Sequence, residues 1–202
     1  MKCYSYVVTR DFGFAPNPFY GYCTLATCKP RIRKKAEIGD WIFGISPKIK
    51  NNGNHLVYAM RVSRKITYNE YWECEEFKPK KPVMNGSLKQ MYGDNIYFKN
   101  QNDGSWVQAN SHHSFQDGLI NKKNLSRDTK GQYVLIAEEF YYFGGDTVEI
   151  PFCLKNEFSI GIGHKIVKEK SAIKVIEWLK ENYELGYHSD PKLFKNFERY
   201  KG

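Results

Sequence analysis

The chain has 202 residues, a length that suits one domain with its own hydrophobic core. Its net charge of +9 and its 16% aromatic residues favour a polyanionic partner such as DNA or nucleotides, although a basic composition also fits a protein that binds no anion. No apolar run reaches the roughly 18 residues of a membrane helix, and Arg10 and Asp11 interrupt the first twenty residues, so we expect neither a membrane partner nor a secretory signal.

The first seventy residues predict three strands and one short helix. The strands lie at residues 3–10, 38–46 and 54–66. These segments are rich in Tyr, Val and Ile and are bounded by turn residues, which is typical of strands. The Asn-Asn-Gly sequence at 51–53 predicts a hairpin turn between the second and third strands. Thr67 and Glu70 have the spacing of a capping box, so we expect a helix over residues 67–72.

The rest of the chain adds strands and one long helix. A proline-bearing basic connector at 78–86 leads to a predicted strand pair within 93–108, turning at Asp103-Gly104. Later strands are expected within 132–144 and 148–152. A 3.6-residue apolar period predicts a C-terminal helix over about 171–185, with Ser171 as its cap and Gly186 as its end.

These elements predict a single strand-rich α+β domain over residues 1–202, with a curved sheet or small barrel and the C-terminal helix packed on it. The order of a Gly39-Asp40 turn, an apolar strand, a second strand and an aromatic helical turn resembles the barrel portion of PUA-like domains, the group of the EVE, ASCH and YTH modules. The resemblance covers about 35 residues. It implies a fold and, as an expectation, binding of RNA, DNA or a modified base.

Residues 11–37 lack a regular pattern, and we predict a long ordered loop there. Phe12 and Phe14 would be costly to leave in water, so the loop should be packed. Two prolines fix the backbone on either side of Asn17, which could present its amide to a ligand. Asn17 could equally bond to its own backbone in a turn.

The end of this loop carries a basic run that includes Lys29, Arg31 and Arg33. Such a run beside aromatic residues is typical of phosphate contacts next to base stacking, although a charged edge strand would look the same. Cys23 and Cys28 have no second metal-spaced pair, so we expect buried thiols and no metal site. The five scattered cysteines favour a reducing, cytoplasmic location.

Two further segments hold polar candidates. His112 and His113 could act as acid or base; on a strand they would point in opposite directions, so only one would face a site, and a structural role is the alternative. Trp106, just before them, is a candidate for base stacking. His164 and Lys165 follow a Gly-x-Gly pair and could contact phosphate, or the glycines could simply form a tight turn.

Two blocks of the sequence, residues 4–44 and 134–145, resemble the second family of nucleotide-modification-associated domains. The matching N-terminal positions are Asp11, Gly13, Pro16, Asn17, Pro18, Cys28, Lys29, Pro30, Arg33, Gly39, Asp40 and Trp41. The Tyr-Phe-Gly-Gly sequence at 142–145 is the next most specific part. The resemblance implies an α+β protein of bacteria or phages, linked by genomic context to DNA base modification. It implies no catalytic residue set and no cofactor.

The resulting hypothesis places a pocket against the 11–33 segment. The expected stacking residues are Phe12, Phe14 and Trp41, with Asn17 reading the base edge and Lys29 and Arg33 holding phosphate. One possible function is a non-catalytic reader of nucleotides or modified DNA, which the sequence slightly favours. The alternative is an enzyme that uses Asp11, His112 or His113 as acid–base groups. An enzyme should bring a histidine and a carboxylate together in a cleft with shifted pKa values, and a reader should not.

Overall fold

A computed structural model describes residues 1–47, 54–158 and 163–200, so the turn predicted at 51–53 lies outside the described residues. The strands are β1 Cys3–Val7, β2 Cys23–Leu25, β3 Trp41–Ile45, β4 His55–Arg61, β5 Arg64–Thr67, β6 Tyr97–Lys99, β7 Trp106–Gln108, β8 Tyr133–Ala137, β9 Phe140–Tyr142, β10 Val148–Glu149, β11 His164–Val167 and β12 Gly186–Tyr187. The α-helices are α1 Pro30–Lys35, α2 Tyr68–Glu73, α3 Leu88–Met91, α4 Lys122–Thr129 and α5 Glu169–Asn182. Two 3-10 helices cover Glu75–Lys80 and Phe152–Glu157.

The strands form three sheets. The main sheet has the order β11-β1-β3-β4-β9-β12, and β10 pairs with β4. A second sheet has the order β2-β8-β5, and β6 and β7 form an antiparallel pair. The predicted strand-rich α+β fold with a curved sheet and a C-terminal helix is confirmed. The alternative of a small barrel is not, since the described strands form an open, twisted sheet.

The main sheet is covered on both faces, which explains why its strands are almost continuously apolar. On one face, Trp41 and Phe43 of β3 pack against α5 residues such as Val175 and Leu179. On the other face, side chains including Tyr58 of β4 pack against the second sheet. A third cluster lies around α2 and the β6–β7 pair. His112, His113 and Cys28 lie where this third cluster meets the end of β1.

The predicted strand at 54–66 is divided between two sheets. It consists of β4 and β5, and the chain changes partners between them. Val62 N–H donates to Asp40 O of the main sheet, whereas Ser63 N–H donates to Ile136 O of the second sheet. Both segments are extended, so the sequence predicts one continuous strand, although β4 is largely buried and β5 is only half-buried. The capping box predicted for the next helix is confirmed: Thr67 and Glu70 bond reciprocally at the start of α2.

The segment predicted as an irregular loop, residues 11–37, contains β2 and α1. The basic run is therefore helical, and the charged edge strand considered as an alternative is wrong. Pro30 occupies the first turn of α1, where a missing N–H costs nothing. The helix buries Ile32 and Arg33 and exposes Arg31.

The C-terminal helix is confirmed, although α5 begins two residues before Ser171 and Lys168 takes the cap position. After β12, the chain returns across the N-terminal segment. Leu193 N–H donates to Asp11 O, and Tyr200 N–H donates to His112 O. This returning segment, residues 188–200, closes one side of the candidate site and had no counterpart in the sequence prediction. None of the helices in the described ranges is both long and apolar enough to cross a bilayer.

Candidate functional site

A cavity of about 340 Å³, which we call the histidine cavity, lies at the end of β1. Five chain segments that are distant in sequence form its walls, and one of them is α4, which contributes Arg127. Its lining residues include Arg10, Phe14, Lys29, His113 and Tyr200. These residues come from the segment after β1, the start of α1, the turn after β7 and the returning C-terminal segment. The cavity therefore depends on the folded chain as a whole.

Both adjacent histidines face this cavity, which corrects the expectation that only one would. That expectation assumed a strand, but residues 111–114 form a turn. The two rings lie side by side with centroids 5.4 Å apart and an interplanar angle of 28°. The ring of Phe14 contacts both of them, at 4.9 Å from His112 and 4.6 Å from His113. The turn thus presents two imidazoles in one place.

His113 forms a buried pair with a carboxylate that the sequence analysis did not single out. Its Nδ1 lies 2.7 Å from Oδ2 of Asp128, at the end of α4. Asp128 is fully enclosed and also accepts hydrogen bonds from the Tyr97 hydroxyl, the Arg127 Nε and the backbone N–H of Cys28. No sequence motif links residues 113 and 128. The side chain of Asn124 on α4 donates to the His113 carbonyl and so holds the turn against the helix that carries Asp128.

The environment displaces the two pKa values in opposite directions. Burial disfavours the charged imidazolium, but the hydrogen bond to Asp128 and the neighbouring Cys28 outweigh burial and raise the pKa of His113 to about 9. Burial likewise opposes ionisation of Asp128, yet His113 and the nearby cations Arg127 and Arg33 lower its pKa to about 2. At neutral pH the pair is therefore an imidazolium and a carboxylate.

Cys28 lies in the cavity wall next to His113. Its thiol is close enough to that imidazole to contribute to the raised pKa of His113. Cys28 is half-buried and lines the cavity, so the expectation of a buried, structural thiol is wrong for it and right for Cys23, which is fully buried. Its φ of +57° and that of Lys29, +38°, lie in the left-handed region, an unusual conformation for two consecutive residues with side chains.

His112 differs from its neighbour in its charge. Burial among aromatic rings, together with the adjacent His113, lowers its pKa to about 3. Phe12 and Tyr92 contact its ring, and its Nδ1 bonds to the Glu198 carbonyl. The site therefore contains one neutral and one protonated imidazole at pH 7.

Three cations surround the opening. Arg10 and Arg127 lie over the ring of Tyr200, at 5.8 and 5.1 Å from its centroid. The Lys29 ammonium lies 4.3 Å from the centre of the Tyr6 ring, and burial lowers its pKa. Lys29 also acts on His164, since burial and then Lys35, Arg31 and Lys29 lower the pKa of that histidine.

Arg33, predicted to hold phosphate, lies inside the protein. Its side chain is 0% exposed and donates to the carbonyls of Cys28, Tyr133 and Asp128 and to the Tyr68 hydroxyl. These four acceptors satisfy the guanidinium, which explains why a cation can be buried here. We therefore leave Arg33 out of the candidate site.

Three other predicted contacts also lie elsewhere. Asn17 is fully buried; its side chain accepts from the Lys80 ammonium and from Phe19 N–H, the turn bond considered as the alternative. Trp41 belongs to the core under α5. Trp106 packs edge-on against Tyr68 in the third cluster. None of these three lines the histidine cavity.

Two more of the predicted site residues, Asp11 and Lys165, lie outside the histidine cavity. Asp11 lines a second cavity of about 240 Å³, together with Gly144 and Gly145 of the Tyr-Phe-Gly-Gly sequence. The Tyr142 hydroxyl donates to Asp11 at 2.6 Å, and burial raises the pKa of this carboxyl. Lys165, next to His164 on β11, is exposed and donates to the Asn156 carbonyl. The structure thus brings His112 and His113 together and keeps Asp11 apart.

Comparison with known families gives one finding. The model of nucleotide modification associated domain 2 matches residues 1–198. The chain belongs to this family. No match was found among curated proteins or among solved structures. Within the described ranges, no group of three or more His, Cys, Asp or Glu side chains is arranged to hold a metal ion.

Proposed function

We propose that this nucleotide modification associated domain 2 protein is an enzyme that modifies a nucleotide or a DNA base bound in the histidine cavity. The observation that carries the proposal is the His113–Asp128 pair, a histidine and a carboxylate 2.7 Å apart with oppositely displaced pKa values beside an open cavity. Such pairs are the typical acid–base groups of active sites. Family membership supports a nucleotide as the substrate class.

The alternative function, a non-catalytic reader, has weaker support. Phe12 and Phe14 are only 4% and 3% exposed, and Trp41 is 2% exposed, so these rings offer little free face for a base. A reader needs aromatic faces on which a base can stack. The half-exposed ring of Tyr200 between Arg10 and Arg127 is the aromatic surface that remains at the opening.

The charge around the opening fits a phosphate-bearing substrate. Arg10, Lys29 and Arg127 all line the cavity, and no carboxylate is among the described lining residues. Arginine and lysine are the side chains that most often bind phosphate oxygens in proteins. We propose that these three cations bind the phosphate and that His113 transfers a proton at the reacting atom.

Binding can be tested with Lys29→Ala. We expect affinity for nucleotides to fall by roughly 10- to 150-fold, because one charge-assisted contact contributes about 1.5–3 kcal/mol. Isothermal titration with a nucleoside monophosphate, a nucleoside triphosphate and a single-stranded oligonucleotide would distinguish a free nucleotide from DNA. Lys174→Ala, at an exposed position of α5, is the matched control. Equal affinities for the two variants would contradict the assignment of the phosphate site.

Catalysis can be tested by comparing DNA and nucleotide pools from cells that carry the wild-type gene or His113→Asn. We expect at least one nucleoside, measured by mass after digestion, to change in abundance with the wild-type protein alone. Binding of nucleotides without any such change would instead favour the reader.

A further inference from the structure

We infer that Cys28 is the nucleophile of this site and that His113, oriented by Asp128, serves it as acid and base. The inference deepens the proposed function and rests on it for the nucleotide part of the substrate. Three observations carry it: Cys28 lines the cavity together with His113, Nδ1 of His113 is paired with the buried carboxylate of Asp128, and the same carboxylate accepts the backbone N–H of Cys28. A nucleophile, a base and a group that orients the base form the general pattern of covalent catalysis.

Charged and titratable groups surround Cys28 in the cavity wall. The groups facing the thiol and imidazole are Asp128 below them, His112 beside them and the cations Lys29 and Arg127 in the same cavity wall. His113 is protonated at neutral pH, so it can stabilise a thiolate as its ion-pair partner. Asp128 contacts Cys28 only through the backbone N–H, at 3.1 Å, which makes it a positioning residue.

The substrate class that this arrangement fits is an acyl compound that carries a phosphate. In the first step, the thiolate sulfur bonds to the carbonyl carbon, the bond from that carbon to the leaving nitrogen or oxygen breaks, and His113 donates its proton to the leaving atom. The product is a thioester. In the second step, an amine or water attacks the thioester, His113 takes up the proton of the attacking group, and the Cys28 sulfur leaves as thiolate. A nucleotide could supply either the acyl group or the accepting amine.

Alkylation by iodoacetamide tests the nucleophile without a known substrate. An unperturbed thiol is only about 1% thiolate at pH 6.5, so we expect Cys28 to react about tenfold faster than Cys74 and Cys153 in the same protein, after allowing for the lower reactivity of a stabilised thiolate. Peptide mass spectrometry gives each rate separately. His113→Asn should bring the rate of Cys28 to that of Cys153, whereas His55→Asn, outside the cavity, should not.

The positioning role of Asp128 has its own readout. In Asp128→Asn, the pH profile of Cys28 alkylation should approach that of Cys153, since the imidazolium loses its carboxylate partner. Circular dichroism melting would confirm that each variant is folded before rates are compared. Equal rates for Cys28 and Cys153 in the wild type, or a rate for Cys28 that His113→Asn leaves unchanged, would overturn the inference.

Acyl transfer is tested with acetyl phosphate and p-nitrophenyl acetate on a Cys74→Ser/Cys153→Ser background. We expect hydroxylamine-sensitive acetylation of Cys28, with Lys29→Ala slowing the reaction of the anionic donor more than that of the neutral one. No acetyl group on Cys28 with either donor would overturn the acyl assignment. Nucleotide titration is a separate measurement: a reactive Cys28 in a protein that binds no nucleotide would retain the nucleophile and reject the proposed function.

Discussion

The His113–Asp128 pair makes a specific prediction about stability and pH. A histidine whose pKa is raised by folding stabilises the protein fully below its unfolded value, and that contribution is lost as pH rises through the folded value. For His113 the window runs from the ordinary value of 6.5 to about 9. A difference of this size corresponds to about 3 kcal/mol of the free energy of unfolding. Asp128, with its lowered pKa, contributes throughout this window and loses its contribution only in strong acid.

Urea denaturation at a series of pH values from 6 to 9.5 would measure this effect. Lys80 complicates the wild-type curve, because burial lowers its pKa to about 8 and stability gains from this group as pH rises above that value. Both the wild type and His113→Asn contain Lys80, so the difference between their free energies of unfolding cancels the Lys80 contribution. We expect that difference to shrink by roughly 3 kcal/mol between pH 6 and pH 9.5. A difference that is constant over this range would refute the assignment of a protonated, paired His113.

Two further substitutions test the elements that hold the site. Arg33→Lys should lower the free energy of unfolding by about 2–4 kcal/mol, because one ammonium cannot satisfy four separated acceptors; exposed Arg31→Lys, with an expected change of less than about 0.5 kcal/mol, is the control in the same urea assay. Gly144→Ala should be more destabilising than Gly21→Ala. Both have positive φ, +54° and +80°, but only at Gly144 would the new Cβ lie 2.3 Å from the Asp190 carbonyl oxygen; equal melting temperatures would contradict this.

The sequence predicted the fold class because its signals are local. The capping box joins Thr67 and Glu70, which lie within one helical turn. The apolar period of α5 and the strand-rich segments are likewise read from residues that are close together in the sequence. The exchange of sheets at Val62 and Ser63 depends on partners far away in the chain, Asp40 and Ile136, and the sequence carries no local sign of it. The returning segment, residues 188–200, is also held by distant partners, since Leu193 N–H donates to Asp11 O and Tyr200 N–H donates to His112 O.

The site shows the same limit. Residue type and local pattern single out four candidates that line the histidine cavity, namely Phe14, Lys29, His112 and His113. Asp128 was missed, because a single Asp in a polar helix has no distinguishing pattern. Cys28 was classed with Cys23 from their spacing. One local feature of the sequence does distinguish Cys28. It directly precedes Lys29 and Pro30, where α1 begins, and a side chain at the start of a helix can point away from the core.

Arg33 belongs to the N-terminal block that carries the most specific resemblance to the family, and its contacts give a structural reason for that specificity. It was expected to bind phosphate, yet its Nε bonds to the Cys28 carbonyl and one of its terminal nitrogens bonds to the Asp128 carbonyl. The backbone N–H of Cys28 in turn donates to the Asp128 carboxylate. Arg33 therefore holds the backbone of Cys28 next to that of Asp128, the residue whose carboxylate orients His113. Reacting groups must be held to within about 0.5 Å for efficient catalysis, and a buried, fully bonded side chain provides such rigidity. A residue with no contact to substrate can for this reason be as necessary to the site as Cys28.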